Sequence, residues 1–271
     1  MTKAELNVAV VQLNSQADVA QNLEQARGQV RRAKARGAEL VVLPENFAFF
    51  GSEAEKRPLA EALSDGPISR ALADMARESS VYLVGGGFPE RSGDPERPHN
   101  TLLVVGPDGS HLATYRKIHL FDVELGAGGS YLESAATTAG GAVVVVDIAG
   151  FKLGLSICYD LRFPELYRAL VDRGAEALLV PAAFTLHTGK DHWHALLRAR
   201  AIESQAFVLA AAQQGTHPGG KQTYGHALIA DPWGTVIAEA ADGVGVTTAI
   251  IERGRLDAVR RSLPSLRHRK L

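Results

Sequence analysis

The sequence predicts an α/β fold in which two mixed sheets pack face to face and helices cover the outer faces. Three observations carry this. Short apolar runs such as LVVL (40–43) and ALLV (177–180) suit strands buried on both faces of a helix-covered sheet. They alternate with longer stretches of helical periodicity. The order strand, helix, strand, helix, strand, hairpin occurs twice, although the two halves share little residue identity. No Pro/Ser-rich linker separates the halves, so one domain is expected over 1–271, with a short C-terminal tail at about 263–271.

The elements follow in order. Residues 6–13 (LNVAVVQL) read as a strand. Residues 18–36 read as a helix, with Leu23, Ala26, Val30 and Ala33 at helical spacing and Gly37 as its stop. Residues 39–43 form a short buried strand, and Pro67 opens a helix over 67–79. A strand at 81–85 precedes GGGFPERSGDPERP (85–98), expected to be a surface loop, as is GAGG (126–129). Strands at 100–105 and 110–115 flank Pro107-Asp108-Gly109, a hairpin signal. In the second half, strands are expected at 151–157, 176–180 and 206–212, and helices at 164–173 and 191–205. A second hairpin joins 226–230 to 235–239 across Asp231-Pro232-Trp233-Gly234.

Composition narrows the function. At 46% hydrophobic and 22% charged, the chain has ample core and is not disordered. A net charge of -1 lacks the basic excess of a general nucleic-acid binder. No apolar run reaches the ~18–20 residues of a membrane span, and the N-terminus does not read as a secretory leader. A soluble cytoplasmic protein is expected. The single cysteine, Cys158, excludes internal disulfides and multi-Cys metal sites.

Cys158 ends a strand and precedes a helix start, where backbone N–H groups converge on an exposed side chain. That setting lowers a thiol pKa and holds a developing oxyanion. Glu45 directly follows a buried strand, and Lys117 follows a hairpin strand. Taken singly, a lone Cys is a small buried hydrophobe, and the other two are surface charges. Together they supply a nucleophile, a base and a positive group.

LVVLPENF (40–47), YRKIHLFD (115–122) and GLSICYDLRFPELYRAL (154–170) resemble the three signature segments of the nitrilase superfamily of carbon–nitrogen hydrolases. The resemblance runs from residue 6 to about residue 269. It implies an αββα sandwich, with Glu45 as general base, Lys117 as the catalytic lysine and Cys158 as nucleophile. Glu133, in SYLES, matches a second conserved-type acid that orients the lysine. The implied reaction is amide hydrolysis through a Cys158 thioester, releasing ammonia, with the Tyr159 backbone N–H and Lys117 stabilising the oxyanion. No metal and no cofactor is implied. Related enzymes place Arg162 on a substrate carboxylate, with Phe184 and Thr188 lining the same pocket; an ion pair of Arg162 with Glu165 or Asp160 is the structural alternative. The family commonly forms dimers, so a homodimer or higher homo-oligomer is expected.

Within the superfamily, HWHALLRARAIESQAFVLAAAQ, YGHALIADPWGTV and LPSLRHRK resemble the branch that hydrolyses deaminated glutathione. The expected substrate is therefore a small linear carboxylated amide, with deaminated glutathione leading. The alternatives are an ω-amidase acting on α-ketoglutaramate, another amidase, carbamoylase or nitrilase, or a non-catalytic scaffold of the same fold.

Other motifs carry no chemistry. His192 and His194 lie about 200° apart around a helix and cannot share a face, so solvated or hydrogen-bonded histidines are expected there. No His sits in a setting distinctive enough for a papain-like pair with Cys158. Gly85-Gly86-Gly87 and Gly219-Gly220-Lys221 lack the rest of a dinucleotide or phosphate loop. The basic run 260–270 is expected to be solvated or to pack on a partner subunit.

Overall fold

β1 (Glu5–Leu13) sends alternate side chains into two apolar layers, and that alternation organises the molecule. Leu6, Val8 and Val10 enter the layer between the two large sheets; Ala9, Val11 and Leu13 face helices on the outside. The computed structural model describes residues 3–63, 65–126 and 129–270. Of the GAGG loop, Ala127 and Gly128 lie outside the described residues.

The first half continues with α1 (Val19–Ala35), β2 (Leu40–Val42), α2 (Glu53–Lys56), α3 (Pro67–Ser79), β3 (Tyr82–Glu90), β4 (His99–Val105) and β5 (His111–Arg116). Asp18 caps α1 by accepting from the Gln21 N–H at 3.0 Å. Ala26, Val30 and Ala33 of α1, with Ile68, Leu72 and Met75 of α3, cover the outer face of the first sheet. A small ribbon of β6 (Asp122–Glu124) and β7 (Ser130–Leu132) follows.

The second half comprises β8 (Val145–Ile148), β9 (Phe151–Leu155), α4 (Pro164–Asp172), β10 (Ala177–Leu179), α5 (Leu186–Ser204) and β11 (Phe207–Ala210). Then come β12 (Ala212–Thr216), β13 (Gln222–Tyr224), β14 (Leu228–Ala230), β15 (Val236–Glu239) and β16 (Gly245–Glu252). α6 (Arg253–Ser262) and α7 (Ser265–His268) close the chain.

One sheet runs β13–β12–β1–β2–β3–β4–β5, with β16 antiparallel to β1; the other runs β15–β14–β11–β10–β9–β8. Both are mixed. β1, β2 and β3 pair in parallel, as do β9, β10 and β11, whereas the hairpins pair antiparallel. The expected αββα arrangement is what the chain adopts.

Four expectations change. Residues 85–90 are not a surface loop: β3 continues through them, buried, across a bulge between Gly85 and Phe88. A Cβ on Gly86 would lie 2.3 Å from Pro181 Cβ and 2.5 Å from the Leu43 carbonyl. Gly86 thus marks close contact between the two halves, not a turn. α5 begins at Leu186, five residues before its expected start, because Thr185 caps it. Gly189 sits inside this helix where a Cβ would strike Tyr224 Cβ at 2.3 Å. The expected strand 206–212 divides: β11 ends at Ala210, and β12 crosses into the other sheet. The basic tail is not simply solvated, since Arg260 donates to the carbonyls of Gln205 and Ala175 at 2.9 and 3.0 Å, and Arg269 pairs with Asp172.

Candidate active site

The C-terminal ends of parallel strands in both sheets converge on one cavity of about 390 Å³. Glu45 follows β2, Lys117 follows β5, Cys158 follows β9, and Phe184 follows β10. Glu45, Lys117, Glu133, Cys158, Tyr159, Arg162, Phe184 and Thr188 all line this cavity. Every residue singled out from sequence is therefore brought to one place.

Lys117 is the hub. Its Nζ lies 3.0 Å from Glu45 Oε1 and 2.8 and 3.1 Å from the two oxygens of Glu133. The side chain is only 3% exposed. Burial works against its charge, but the Glu133 and Glu45 carboxylates overcome that and hold the ammonium well above the usual lysine range. Burial also opposes ionisation of Glu45. The Lys117 ammonium, the neighbouring Cys158 thiol and the Lys117 hydrogen bond outweigh it, so the carboxyl is held below its usual range.

Further donors orient Glu45. Asn100 Nδ2 donates to Oε1 at 2.9 Å, and the Ala183 N–H donates to Oε2 at 3.1 Å. Asn100 also reaches Glu133 Oε1 at 3.3 Å, and the Phe121 N–H donates to Glu133 Oε2 at 2.7 Å. Gly87 allows this packing: its φ is +60°, and a Cβ there would lie 2.8 Å from both Asn100 Oδ1 and Glu45 Cγ.

Cys158 has φ 46°, the left-handed region that a non-glycine residue occupies at a cost. Two contacts hold it there. Its N–H donates to the Pro181 carbonyl at 2.9 Å, and the following turn, Cys158–Arg162, is clamped by Asp160. Asp160 is fully buried and accepts from the Ile157 N–H, the Tyr115 hydroxyl, and the backbone and Nδ1 of His119. Burial and the Glu45 charge push the Cys158 thiol well above its usual range. The strand-to-helix position was expected to lower it; desolvation beside a carboxylate wins instead. At rest the sulfur is a thiol, and a base must act on it for it to attack.

Arg162 stacks its guanidinium 5.0 Å from the Phe184 ring centre and 5.9 Å from that of Tyr159. It donates to His192 Nδ1 at 3.3 Å. Among the described residues it forms no ion pair with Glu165 or Asp160; the latter is occupied by Tyr115 and His119. The guanidinium is thus free to meet an anion in the cavity.

Sequence reasoning missed Asn100, Asp160 as a clamp, and two further cavity cations, Lys56 and Lys221. The signal for Asn100 was faint: one amide at the head of the apolar run TLLVV. His194 does not join His192, but its Nε2 and the Nδ1 of His226 both lie against Glu239 Oε1, at 2.9 and 2.7 Å. This cluster ties α5 to the β14–β15 hairpin, away from the cavity lining.

The chain matches the carbon–nitrogen hydrolase family model over residues 7–261. It is 47% identical over 265 residues to a deaminated glutathione amidase of Synechocystis sp., covering 96% of this chain and 97% of that one. The human deaminated glutathione amidase is 43% identical over 268 residues, covering 97% and 82%. Among solved structures, the Caenorhabditis elegans NitFhit protein superposes with a TM-score of 0.93 at 40% identity, covering 100% of this chain and 66% of that longer one. A Saccharomyces cerevisiae member of branch 10 of the nitrilase superfamily gives 0.88 at 31% identity, covering 97% and 96%.

Proposed function

Because the chain belongs to the carbon–nitrogen hydrolase family, we propose that this amide-hydrolysing enzyme cleaves deaminated glutathione through a thioester on Cys158. The observation that carries the reading is the buried Lys117 ammonium bridging Glu45 and Glu133 in the cavity that Cys158 also lines. It keeps Glu45 ionised beside a protonated thiol, the protonation pattern that base-assisted attack requires.

In the proposed reaction, Glu45 takes the thiol proton as sulfur attacks the amide carbon. Negative charge gathers on the carbonyl oxygen. The Lys117 ammonium and the Tyr159 N–H stabilise it; removing one such donor typically costs about 3–4 kcal/mol of barrier. Glu133 takes two of the three Lys117 contacts with one carboxylate. One of those N–H groups is therefore spared for the oxyanion. Glu45 then protonates the leaving nitrogen as the C–N bond breaks, and afterwards removes a proton from the water that hydrolyses the thioester. For deaminated glutathione the leaving amine is cysteinylglycine; ammonia leaves only from primary amides such as α-ketoglutaramate. Arg162, packed on Phe184 with Thr188 beside it in the cavity lining, takes the 2-oxo acid carboxylate.

A single free thiol and no disulfide fit a reducing compartment, which supports a cytoplasmic location. No helix among the described residues is long and apolar enough to cross a membrane. Ile202 on α5 and Trp233 and Ile237 of the β14–β15 hairpin are exposed, which supports a homodimer or higher homo-oligomer through that face.

The test is steady-state hydrolysis of deaminated glutathione and α-ketoglutaramate by purified protein, following 2-oxoglutarate as the shared product. Higher kcat/KM on deaminated glutathione, abolished in Cys158→Ala, is expected. Preference for α-ketoglutaramate moves the protein to the ω-amidase reading, and activity retained in Cys158→Ala removes the nucleophile assignment.

A further inference from the structure

Resting on that substrate reading, we infer that Lys56 and Lys221 form a second anion subsite that takes the C-terminal carboxylate of the leaving dipeptide. Both side chains line the cavity that holds Cys158. They come from distant parts of the chain, the end of α2 and the residue before β13, yet meet at one segment: Lys221 Nζ donates to the Gly51 carbonyl at 3.3 Å.

Neither ammonium is saturated. The Lys56 side chain is only 13% exposed, and its nearest carboxylate oxygen, on Glu53, is 3.8 Å away, beyond hydrogen-bond reach. Among the described residues, the long bond to Gly51 is the only hydrogen bond Lys221 Nζ makes. Each ammonium has three donors, so most remain free for a ligand. Lys56 lines the cavity, and its charge also helps hold the buried Glu45 ionised.

Behind the cavity lining, His217 backs Thr223 and Phe50, which line the same cavity as the two lysines. Its Nδ1 lies 2.8 Å from the Ser15 carbonyl, an acceptor only, so Nδ1 carries the proton. Burial holds the ring's pKa below its usual range and keeps it neutral, so its Nε2 accepts from the Thr223 hydroxyl, at 2.7 Å. The proton of Thr223 is thereby committed, and its oxygen can only accept from a cavity ligand. Phe50 stacks on the His217 ring with centres 3.9 Å apart, holding this part of the lining in place. An acceptor next to ammonium groups suits a peptide end, whose amide N–H precedes a carboxylate.

Charge agrees. Outside the Glu45–Lys117–Glu133 cluster, the cavity lining holds Lys56, Arg162 and Lys221 against Glu53 alone, a surplus of two positive charges. The whole chain carries -1. Deaminated glutathione is a dianion at neutral pH, with one carboxylate on the acyl side and one on the leaving side of the scissile bond. Its dipeptide spans about 7 Å when extended. α-Ketoglutaramate has only the first carboxylate. Arg162 serves both substrates; Lys56 and Lys221 read the feature that separates them.

The experiment is a double cycle on kcat/KM. Wild type and Lys56→Ala/Lys221→Ala are compared on deaminated glutathione and on its C-terminal carboxamide, with α-ketoglutaramate as a third substrate. Removing the substrate carboxylate should cost the wild type about 10- to 100-fold, carried by KM. The same removal should cost the double variant less than about threefold. The cycle subtracts any effect of Lys56 acting through Glu45. α-Ketoglutaramate turnover reports that the variant is folded and should fall far less than deaminated glutathione turnover. Equal losses on the acid and the carboxamide overturn the subsite while leaving the substrate reading intact. Wild type that turns over α-ketoglutaramate but not deaminated glutathione overturns both.

Discussion

Replacing Asp160 with Asn tests whether the nucleophile is held by a buried carboxylate. Asp160 is 0% exposed and has four donors pointed at it. Oδ2 accepts from the Ile157 N–H at 2.9 Å and the Tyr115 hydroxyl at 2.7 Å; Oδ1 accepts from the His119 N–H at 3.0 Å and its Nδ1 at 2.7 Å. Asn keeps the shape but puts an NH2 where one oxygen was. Two donors lose their acceptor and meet another donor. Hydrogen bonds to a charged group are worth about 1.5–3 kcal/mol each, so the loss is about 3–6 kcal/mol. That is a large share of a typical total of about 5–15 kcal/mol, and corresponds to a fall in Tm of about 5–10 °C for a chain of this length. The same change frees the turn that holds Cys158 at φ 46°, so kcat should fall more than tenfold. Thermal melts and steady-state kinetics, with Tyr115→Phe as the one-donor comparison at about 1.5–3 kcal/mol, check both. A variant with Tm within about 2 °C of wild type and unchanged kcat refutes the clamp.

The remaining predictions concern the cavity. Gly87→Ala places a Cβ 2.8 Å from Glu45 Cγ at a positive φ, so activity should drop more than tenfold together with Tm; a fully active variant would contradict the packing. Glu133→Gln removes half the charge that holds Lys117 and should lower kcat about 10- to 100-fold with little change in KM, read by steady-state kinetics. Glu45 is held below and Lys117 well above their ordinary values of about 4.3 and 10.4. Their pairing therefore stabilises the fold fully between those values. That contribution fades as pH falls through the folded Glu45 value or rises through the folded Lys117 value. Urea denaturation should accordingly give a pH-independent stability difference between wild type and Glu45→Gln over about pH 5–7.5, below the range in which the Cys158 thiol, pushed up by the same Glu45 charge, enters the balance; a slope in that window counts against the pairing. Arg162→Gln should raise KM for anionic amides far more than for neutral ones, and equal effects would make Arg162 structural.

The strand-and-helix grammar was legible because it is local. Alternation in β1, the cap at Asp18 and the hairpin turns are each decided within a few residues. The errors have one origin, which is contact between distant segments. GGG reads as a loop until Pro181 is seen against Gly86. Gly189 lies before the expected start of α5, and Tyr224 packing is what a side chain there would meet. Nothing local says that β12 must leave its neighbour β11 for the other sheet, or that β16 completes that sheet against β1. The site divides the same way. Glu45, Lys117 and Cys158 announce themselves as ionisable groups at strand ends. Asn100 and Lys221 look like ordinary polar residues until the fold puts Asn100 against Glu45 and Glu133 and Lys221 on the cavity.

The direction of the thiol shift explains why these segments must meet. A cysteine at a strand-to-helix junction would be a ready thiolate if it stood in a positive, wetted setting. Here it is buried beside Glu45, and both conditions favour the protonated form. Nucleophilicity must then be made during attack, by a base that is itself costly to keep charged in the same dry site. Lys117 resolves that cost, yet an unpaired buried ammonium would shed its own proton. Glu133 supplies the remaining countercharge, and Asn100 joins the two carboxylates from the side. Each group keeps the next one in its working protonation state. Removing any one shifts the others, so single substitutions here should prove strongly non-additive in kcat.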